Sequence, residues 1–225
     1  MRNLSLRVQD FDMKILVFTE GTLIMHSSAK GHKREKIVEQ VKRKDQSIRD
    51  YQSYIPIGGC VNKLKRWNQQ GAKILYLTSR RDPNEIEMIR NVLKKYKFPK
   101  GELLFRKDNE EYRDIAERVI PDVLIEDDCE SIGGEKEMTI TYVKPEIRTE
   151  IESIVVKEFG GIDKLLDDMS KQYNKYEIRC PECKKIFHKR GREIKKMYRK
   201  KRHWDLGCGH EIDLEPYAML RELCS

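Results

Sequence analysis

Three short apolar runs, each closing on polar residues, constrain this chain more than any other feature. They are KILVFTEGT (Lys14 to Thr22), KILYLTSRR (Lys73 to Arg81) and PDVLIEDD (Pro121 to Asp128). Unbroken apolar runs of this length fit strands that are buried on both faces. The segments between them carry helical signals. Val61 to Gln70 is stopped by Gly71, in the position where a helix commonly ends on glycine. Asp82-Pro83-Asn84 opens a helix with Ile86, Ile89, Val92 and Leu93 at helical spacing. Glu110 to Val119 reads as a further helix.

Leu103 to Phe105 reads as a short strand, and Thr139 to Val143 as the strand that closes the sheet. Ile147 to Met169 reads as one or two helices interrupted at Gly160-Gly161. Strands alternating with helices imply a mostly parallel sheet with right-handed crossovers. The expected class is α/β: a Rossmann-like parallel sheet with helices on both faces, plus a small C-terminal module.

The length of 225 residues allows one such domain and an appendage. The expected boundaries are a polar N-terminal extension over 1–12, the α/β domain over 13–170 and a basic module over 171–225. A small insertion at about 26–53 carries Ile37, Val41 and Ile48 in a helical pattern. It looks too small and polar to suggest a substrate pocket. His26, Ser27 and Ser28 lie just beyond the first strand, where they could face the site; a polar loop is the plainer reading. No apolar run approaches the roughly 20 residues of a membrane span, and the N-terminus lacks the apolar core of a signal peptide. The expectation is a cytoplasmic protein without a membrane partner.

The six cysteines then read as thiols or metal ligands rather than disulfides. Cys180-Pro-Glu-Cys183 followed by Cys208-Gly-His210 looks like a treble-clef or zinc-ribbon type site for a structural Zn²⁺. The second knuckle is one residue shorter than the usual spacing. His203 or His188 is therefore an alternative to His210 as fourth ligand. Cys60, Cys129 and Cys224 sit in ordinary contexts.

The formal charge of +8 comes from 46 basic and 38 acidic residues. The stretch His188 to His203 holds nine Lys/Arg and one Glu, leaving 37 of each sign elsewhere. Basicity therefore belongs to one segment. Lys195, Lys196, Arg199, Lys200, Lys201 and Arg202, beside Tyr198 and Trp204, suit phosphate-backbone contacts to RNA or DNA. A solvated helix is the plainer alternative, because Ile194, Met197 and Tyr198 share one helical face.

In open parallel sheets, ligands bind beyond the carboxyl ends of the strands. Thr19-Glu20-Gly21-Thr22, Thr78-Ser79-Arg80 and Glu126-Asp127-Asp128 should converge there. The set offers hydroxyls to phosphate and carboxylates to Mg²⁺. On these motifs the chain resembles the haloacid dehalogenase-like (HAD) superfamily, over roughly Met13 to Val143. In that family the first strand ends Asp-x-Asp-Gly-Thr, with a nucleophile and then a general acid/base.

The resemblance implies that Glu20 stands at the acid/base position and Thr78 at the phosphate-binding one. Asp127 and Asp128 stand at the metal-binding acids, and Arg113, with Lys107 second, at the charge-stabilising cation. Thr19, Gly21, Thr22, Ser79 and Arg80 would line the ligand. The nucleophile position is Phe18, which supplies neither an attacking atom nor a metal ligand. Thr19 should point away from Phe18 and Glu20 on an extended strand.

Two functional expectations follow. The first is a domain without classical phosphatase activity that binds a phosphate-bearing ligand or partner. The second is a Mg²⁺-dependent phosphohydrolase acting through Glu20 and Asp127.

Overall fold

A computed structural model describes residues 6–8, 13–169, 175–190, 203–205 and 207–213. The chain divides into two compact units, Lys14–Asp167 and the combination of Met1–Met13 with Asp168–Ser225.

The first unit is built on a five-stranded sheet. Its strands are β1 (Lys14–Phe18), β2 (Lys73–Leu77), β3 (Glu102–Leu104), β4 (Val123–Asp127) and β5 (Glu152–Val156). They lie in the order β3-β2-β1-β4-β5, and every neighbouring pair is parallel. Ile15, Leu16 and Val17 of β1 face Ile74, Leu75 and Tyr76 on one side and Val123, Leu124 and Ile125 on the other. All nine are buried, as sheets covered on both faces require. The architecture is Rossmann-like α/β.

Four helices fill the connections from β1 to β4: α1 (Arg34–Lys42), α2 (Cys60–Gln69), α3 (Pro83–Lys95) and α4 (Tyr112–Val119). The start of α3 follows from local chemistry. Asp82 Oδ1 accepts from the backbone N–H of Asn84 at 2.8 Å and of Glu85 at 3.2 Å, and Pro83 takes the first helical position. The helix then buries Ile86, Ile89, Val92 and Leu93. Gly71 ends α2 with φ +98°.

The sheet closes differently from the expectation. Thr139 to Val143 is not a strand: Thr139–Tyr142 forms a short helix, α5, and Pro145–Arg148 another, α6. The β-branched run reads as a strand, but the buried Glu126 carboxylate accepts from the N–H groups of Thr139 at 2.7 Å and Ile140 at 3.1 Å and holds the turn. Tertiary context overrides propensity here. The closing strand is β5, inside the segment expected to be helical. Its register on β4 runs from Val123↔Glu152 to Asp127↔Val156.

The chain crosses from β1 through β2 to β3, then returns to the far side of β1 for β4 and β5. The carboxyl ends of β1 and β4 are therefore the switch point at which such sheets open a crevice. Ile24–Met25 pairs antiparallel with Ile55–Pro56 just beyond β1 and brackets the segment carrying α1. Ile37 and Val41 lie on α1, while Ile48 belongs to a separate 3₁₀ turn, Gln46–Arg49.

In the second unit, Leu6–Val8 pairs antiparallel with Lys175–Arg179, which pairs with Ile186–Arg190. His203–Asp205 pairs with Glu211–Asp213. Among the described residues no helix is long and apolar enough to cross a membrane.

Candidate functional site

The loop after β1 is closed on itself. Thr19 O accepts from the N–H groups of Leu23 at 2.8 Å and Ile24 at 2.9 Å, and Gly21 N–H donates to Ile24 O at 3.0 Å. Gly21 has φ +81°, and a Cβ there would lie 2.6 Å from Asp127 Oδ2. Glycine is thus required twice, for its backbone conformation and for the approach of a carboxylate. The turn delivers Glu20 and Phe18 to a cavity of about 410 Å³ at the carboxyl edge of the sheet, whose walls include His26, Arg80, Arg106 and Asp127.

Glu20 is fastened to the end of β2. Thr78 Oγ1 donates to its Oε1 at 2.7 Å and Ser79 N–H to its Oε2 at 3.2 Å. Arg80 Nε lies 3.3 Å from Oε1. Thr19 Oγ1 donates to Oε2 at 2.5 Å. The alternation expected along the strand would separate Thr19 from Glu20, but the glutamate stem curls back far enough to reach it. Burial disfavours the charge on Arg80, yet Glu20 and Tyr51 outweigh it and hold the guanidinium above its ordinary pKa. Arg80 also lies over the Tyr51 ring, 4.6 Å from its centroid.

The acids after β4 have separate fates. Asp127 is buried and accepts from Thr22 Oγ1 at 2.9 Å and Cys129 N–H at 3.0 Å. Burial pushes its carboxyl above the ordinary range, against the pull of those donors. Burial does the same to Glu126. Asp128 turns to Lys157 Nζ at 2.8 Å and Glu158 N–H at 3.0 Å. Burial opposes its ionisation, but these partners outweigh it and hold its carboxyl below the usual value.

Phe18 packs edge-on against Tyr112, with ring centroids 5.1 Å apart. The guanidinium carbon of Arg106 sits 3.9 Å from the Tyr112 centroid. Arg106 borders the cavity, whereas Arg113 lies half-exposed beside Asp114 and does not line it. Helical position favoured Arg113 in the sequence; Arg106, in the loop before α4, is the one that borders the cavity.

The insertion contributes a wall after all. His26, Val41, Ile48, Tyr51 and Tyr54 border the cavity, because the Ile24–Met25 pairing folds the segment back over the sheet edge. His26 is 1% exposed. Its Nδ1 meets Ser28 Oγ at 2.7 Å, and its Nε2 has no hydrogen-bond partner among the described residues. Burial lowers its pKa and keeps it neutral near pH 7. Cys129 (φ +49°) and Phe159 (φ +60°) border the same cavity. Left-handed backbone at such residues costs about 1–3 kcal/mol each and concentrates at functional sites.

These residues do not fit a Mg²⁺ centre. Phe18 removes one carboxylate, Asp128 is committed to Lys157, and Glu20 to Thr78 and Arg80. Of the acids the resemblance assigns, only Asp127 is left, a weak donor set for a cation that demands several oxygen ligands; Glu126 and Glu158 on the same cavity are taken up by Thr139, Ile140 and Ser131.

The second unit is different. Cys180, Cys183, Cys208 and His210 bring ligand atoms within 4.8 Å of one another, the only such group of three or more among the described residues. This cluster could hold a metal ion. Lys184 N–H donates to Cys180 O at 3.0 Å, closing the first knuckle. Gly209 (φ +77°) lets the short Cys-x-His turn bring both side chains to one point. His210 Nδ1 is buried without a hydrogen-bond partner. Lys195, Lys196, Arg199, Lys200, Lys201 and Arg202 lie outside the described residues.

No family model matches the chain, and no curated protein matches it. Distant likenesses occur among solved structures. The class C acid phosphatase from Bacillus anthracis with tungstate bound is 12% identical, covering 68% of this chain and 70% of that one, with a TM-score of 0.45. The D,D-heptose 1.7-bisphosphate phosphatase from B. bronchiseptica, complexed with magnesium and phosphate, is 13% identical over 66% and 94%, with a TM-score of 0.38. A chain of the Pnkp1/Rnl/Hen1 complex is 17% identical over 66% of this chain and 47% of its own length, with a TM-score of 0.42. Strand order and register, not these likenesses, define the fold described above.

Proposed function

We propose that the Lys14–Asp167 unit is a HAD-like binding domain with a degenerate first motif, holding a phosphate-bearing ligand or partner at the carboxyl edge of its sheet. One observation carries this reading: a phenyl ring, that of Phe18, ends β1 beside the cavity and packs on Tyr112. A phenyl ring has no electron pair with which to open a covalent phosphoryl-transfer route. Arg80 and Arg106 favour an anionic ligand, and of the strand-end residues Gly21 and Ser79 border the cavity while Thr19, Thr22 and Thr78 are buried and do not line it. His26 Nε2 offers one further hydrogen bond.

The test is a broad phosphoester panel with and without Mg²⁺, on the wild type beside Glu20→Gln. The expected result is no turnover in either protein. Turnover that disappears in Glu20→Gln and Asp127→Asn, with both variants folded, would replace this reading with a phosphohydrolase. That second reading is favoured only by Glu20 and Asp127 bordering one cavity.

For the C-terminal cluster we propose Zn²⁺, whose tetrahedral site suits three thiolates and one imidazole. The basic run beside it is proposed to contact RNA or DNA. Replacing Lys195, Lys196, Arg199 and Lys200 with Gln should weaken binding to a single-stranded oligonucleotide. It should also flatten the slope of log K against log salt by roughly three. Affinity that ignores salt would rule this contact out.

A further inference from the structure

Three hydrogen-bond donors and one cation converge on one carboxylate at the carboxyl edge of the sheet; the Arg80 Nε–H itself donates to Ser79 Oγ at 3.1 Å, so its approach to Glu20 is an ion pair. Thr78 Oγ1 and Arg80 Nε approach Glu20 Oε1 at 2.7 and 3.3 Å. Thr19 Oγ1 and the N–H of Ser79 approach Oε2 at 2.5 and 3.2 Å. Two of these donors are fixed independently of Glu20. Thr19 N–H donates to Leu77 O at 2.9 Å and Thr78 N–H to Leu104 O at 3.0 Å, so the sheet itself positions both hydroxyls. Arg80 is braced by Ser79 Oγ and the Tyr51 hydroxyl.

Two hydroxyls, an amide and a guanidinium form a concave, positively polarised set. Such a set complements any oxyanion, not a carboxylate alone. Glu20 reaches it from a turn rather than from the sheet. Its side chain, 13% exposed, borders the cavity and has open space to leave into.

We propose that the chain's own Glu20 carboxylate occupies this set of three donors and one cation as a placeholder, so that an external oxyanion binds at the subsite only by displacing that carboxylate. The ligand class, a phosphate monoester, rests on the reading given under Proposed function; the subsite itself does not. A dianion cannot share the donors with Glu20, because two anions at hydrogen-bond distance repel strongly at low local dielectric. The resting site is therefore closed to phosphate by charge and by occupancy together. A ligand that opens it must bring further contacts to move Glu20 aside, and the cavity walls include His26 and Arg106.

The test is titration of orthophosphate into the full chain by calorimetry, comparing wild type, Glu20→Ala and Glu20→Ala/Thr78→Val. Glu20→Ala is expected to bind orthophosphate at least tenfold more tightly than wild type, and the double variant to lose that gain. Equal affinity in wild type and a folded Glu20→Ala overturns the proposal. A gain that survives Thr78→Val overturns it as well, since phosphate would then sit elsewhere. If Glu20→Ala does not fold, Glu20→Gln carries the same comparison, with a phosphate-dependent rise in Tm as readout. The two readings fail separately. An orthophosphate gain without binding of any phosphoester, in wild type or variant, upholds the subsite and removes the phosphate-ester ligand.

Discussion

On the Zn²⁺ reading proposed for the Cys/His cluster, Cys183→Ser should strip the metal and loosen the second unit while the first unit keeps its own unfolding transition. The four ligand atoms lie within 4.8 Å of one another. Tetrahedral Zn²⁺ with sulfur ligands at about 2.3 Å places neighbouring sulfurs about 3.7 Å apart, so a small contraction completes the site. The described part of this unit consists of short strands at Leu6–Val8, Lys175–Arg179, Ile186–Arg190, His203–Asp205 and Glu211–Asp213. In minimal zinc modules metal binding is itself folding energy, roughly 10–16 kcal/mol at neutral pH.

Metal content by mass spectrometry should fall from near-stoichiometric to below about a tenth, as expected when a site loses one of its thiolates. Amide exchange over Lys175–Arg190 should accelerate in parallel. His210→Ala should behave the same way, since its unpartnered Nδ1 is the atom left to complete the site. Full zinc retention in Cys183→Ser would remove this ligand set.

Trp67→Ala is expected to lower the stability of the first unit by roughly 3–5 kcal/mol, the range for deleting a buried aromatic side chain. Trp67 is fully buried on α2. Its Nε1–H donates to Leu166 O at 2.9 Å. The same helix binds the same segment repeatedly. Lys63 Nζ donates to Leu165 O at 2.7 Å and meets Asp167 Oδ1 at 2.6 Å, and Gly59 N–H donates to the Asp163 carboxylate at 2.9 Å. The Asp163 charge also sits favourably at the positive end of α2.

Removing the indole therefore opens a cavity and leaves a carbonyl unpaired. It also frees the chain leading back to Phe159 and Glu158, which border the ligand cavity. Urea denaturation measures the loss, with Trp67→Phe as the control that removes mainly the hydrogen bond. A loss below about 1.5 kcal/mol, the range of well-tolerated core swaps, would mean that α2 and this segment are not held through Trp67.

Much of the first unit was legible in the residues alone. Unbroken apolar runs mark β1, β2 and β4 because a strand covered on both faces has no solvent side to alternate towards. The terminal chemistry of those strands, including the absence of a carboxylate at Phe18, is a property of covalent identity and needs no coordinates. The same holds for the paired cysteines at 180 and 183. Local rules also located α2, α3 and α4 to within a residue or two, since caps and helical spacing act over a few positions.

What the tertiary structure decided were the meetings between distant residues. β5 was hidden in a segment read as helix, because its strand character comes from pairing with β4 and not from its own pattern. Thr139–Tyr142 became helical because Glu126, buried on another element, binds its N–H groups. Arg106 rather than Arg113 borders the cavity, and the polar insertion forms a wall of it. Glu20 was recognisable in the sequence as a carboxylate at a strand end. That its oxygens fill a set of donors on the neighbouring strand depends on β1 lying beside β2 in register, and only the long-range pairing of the sheet decides that.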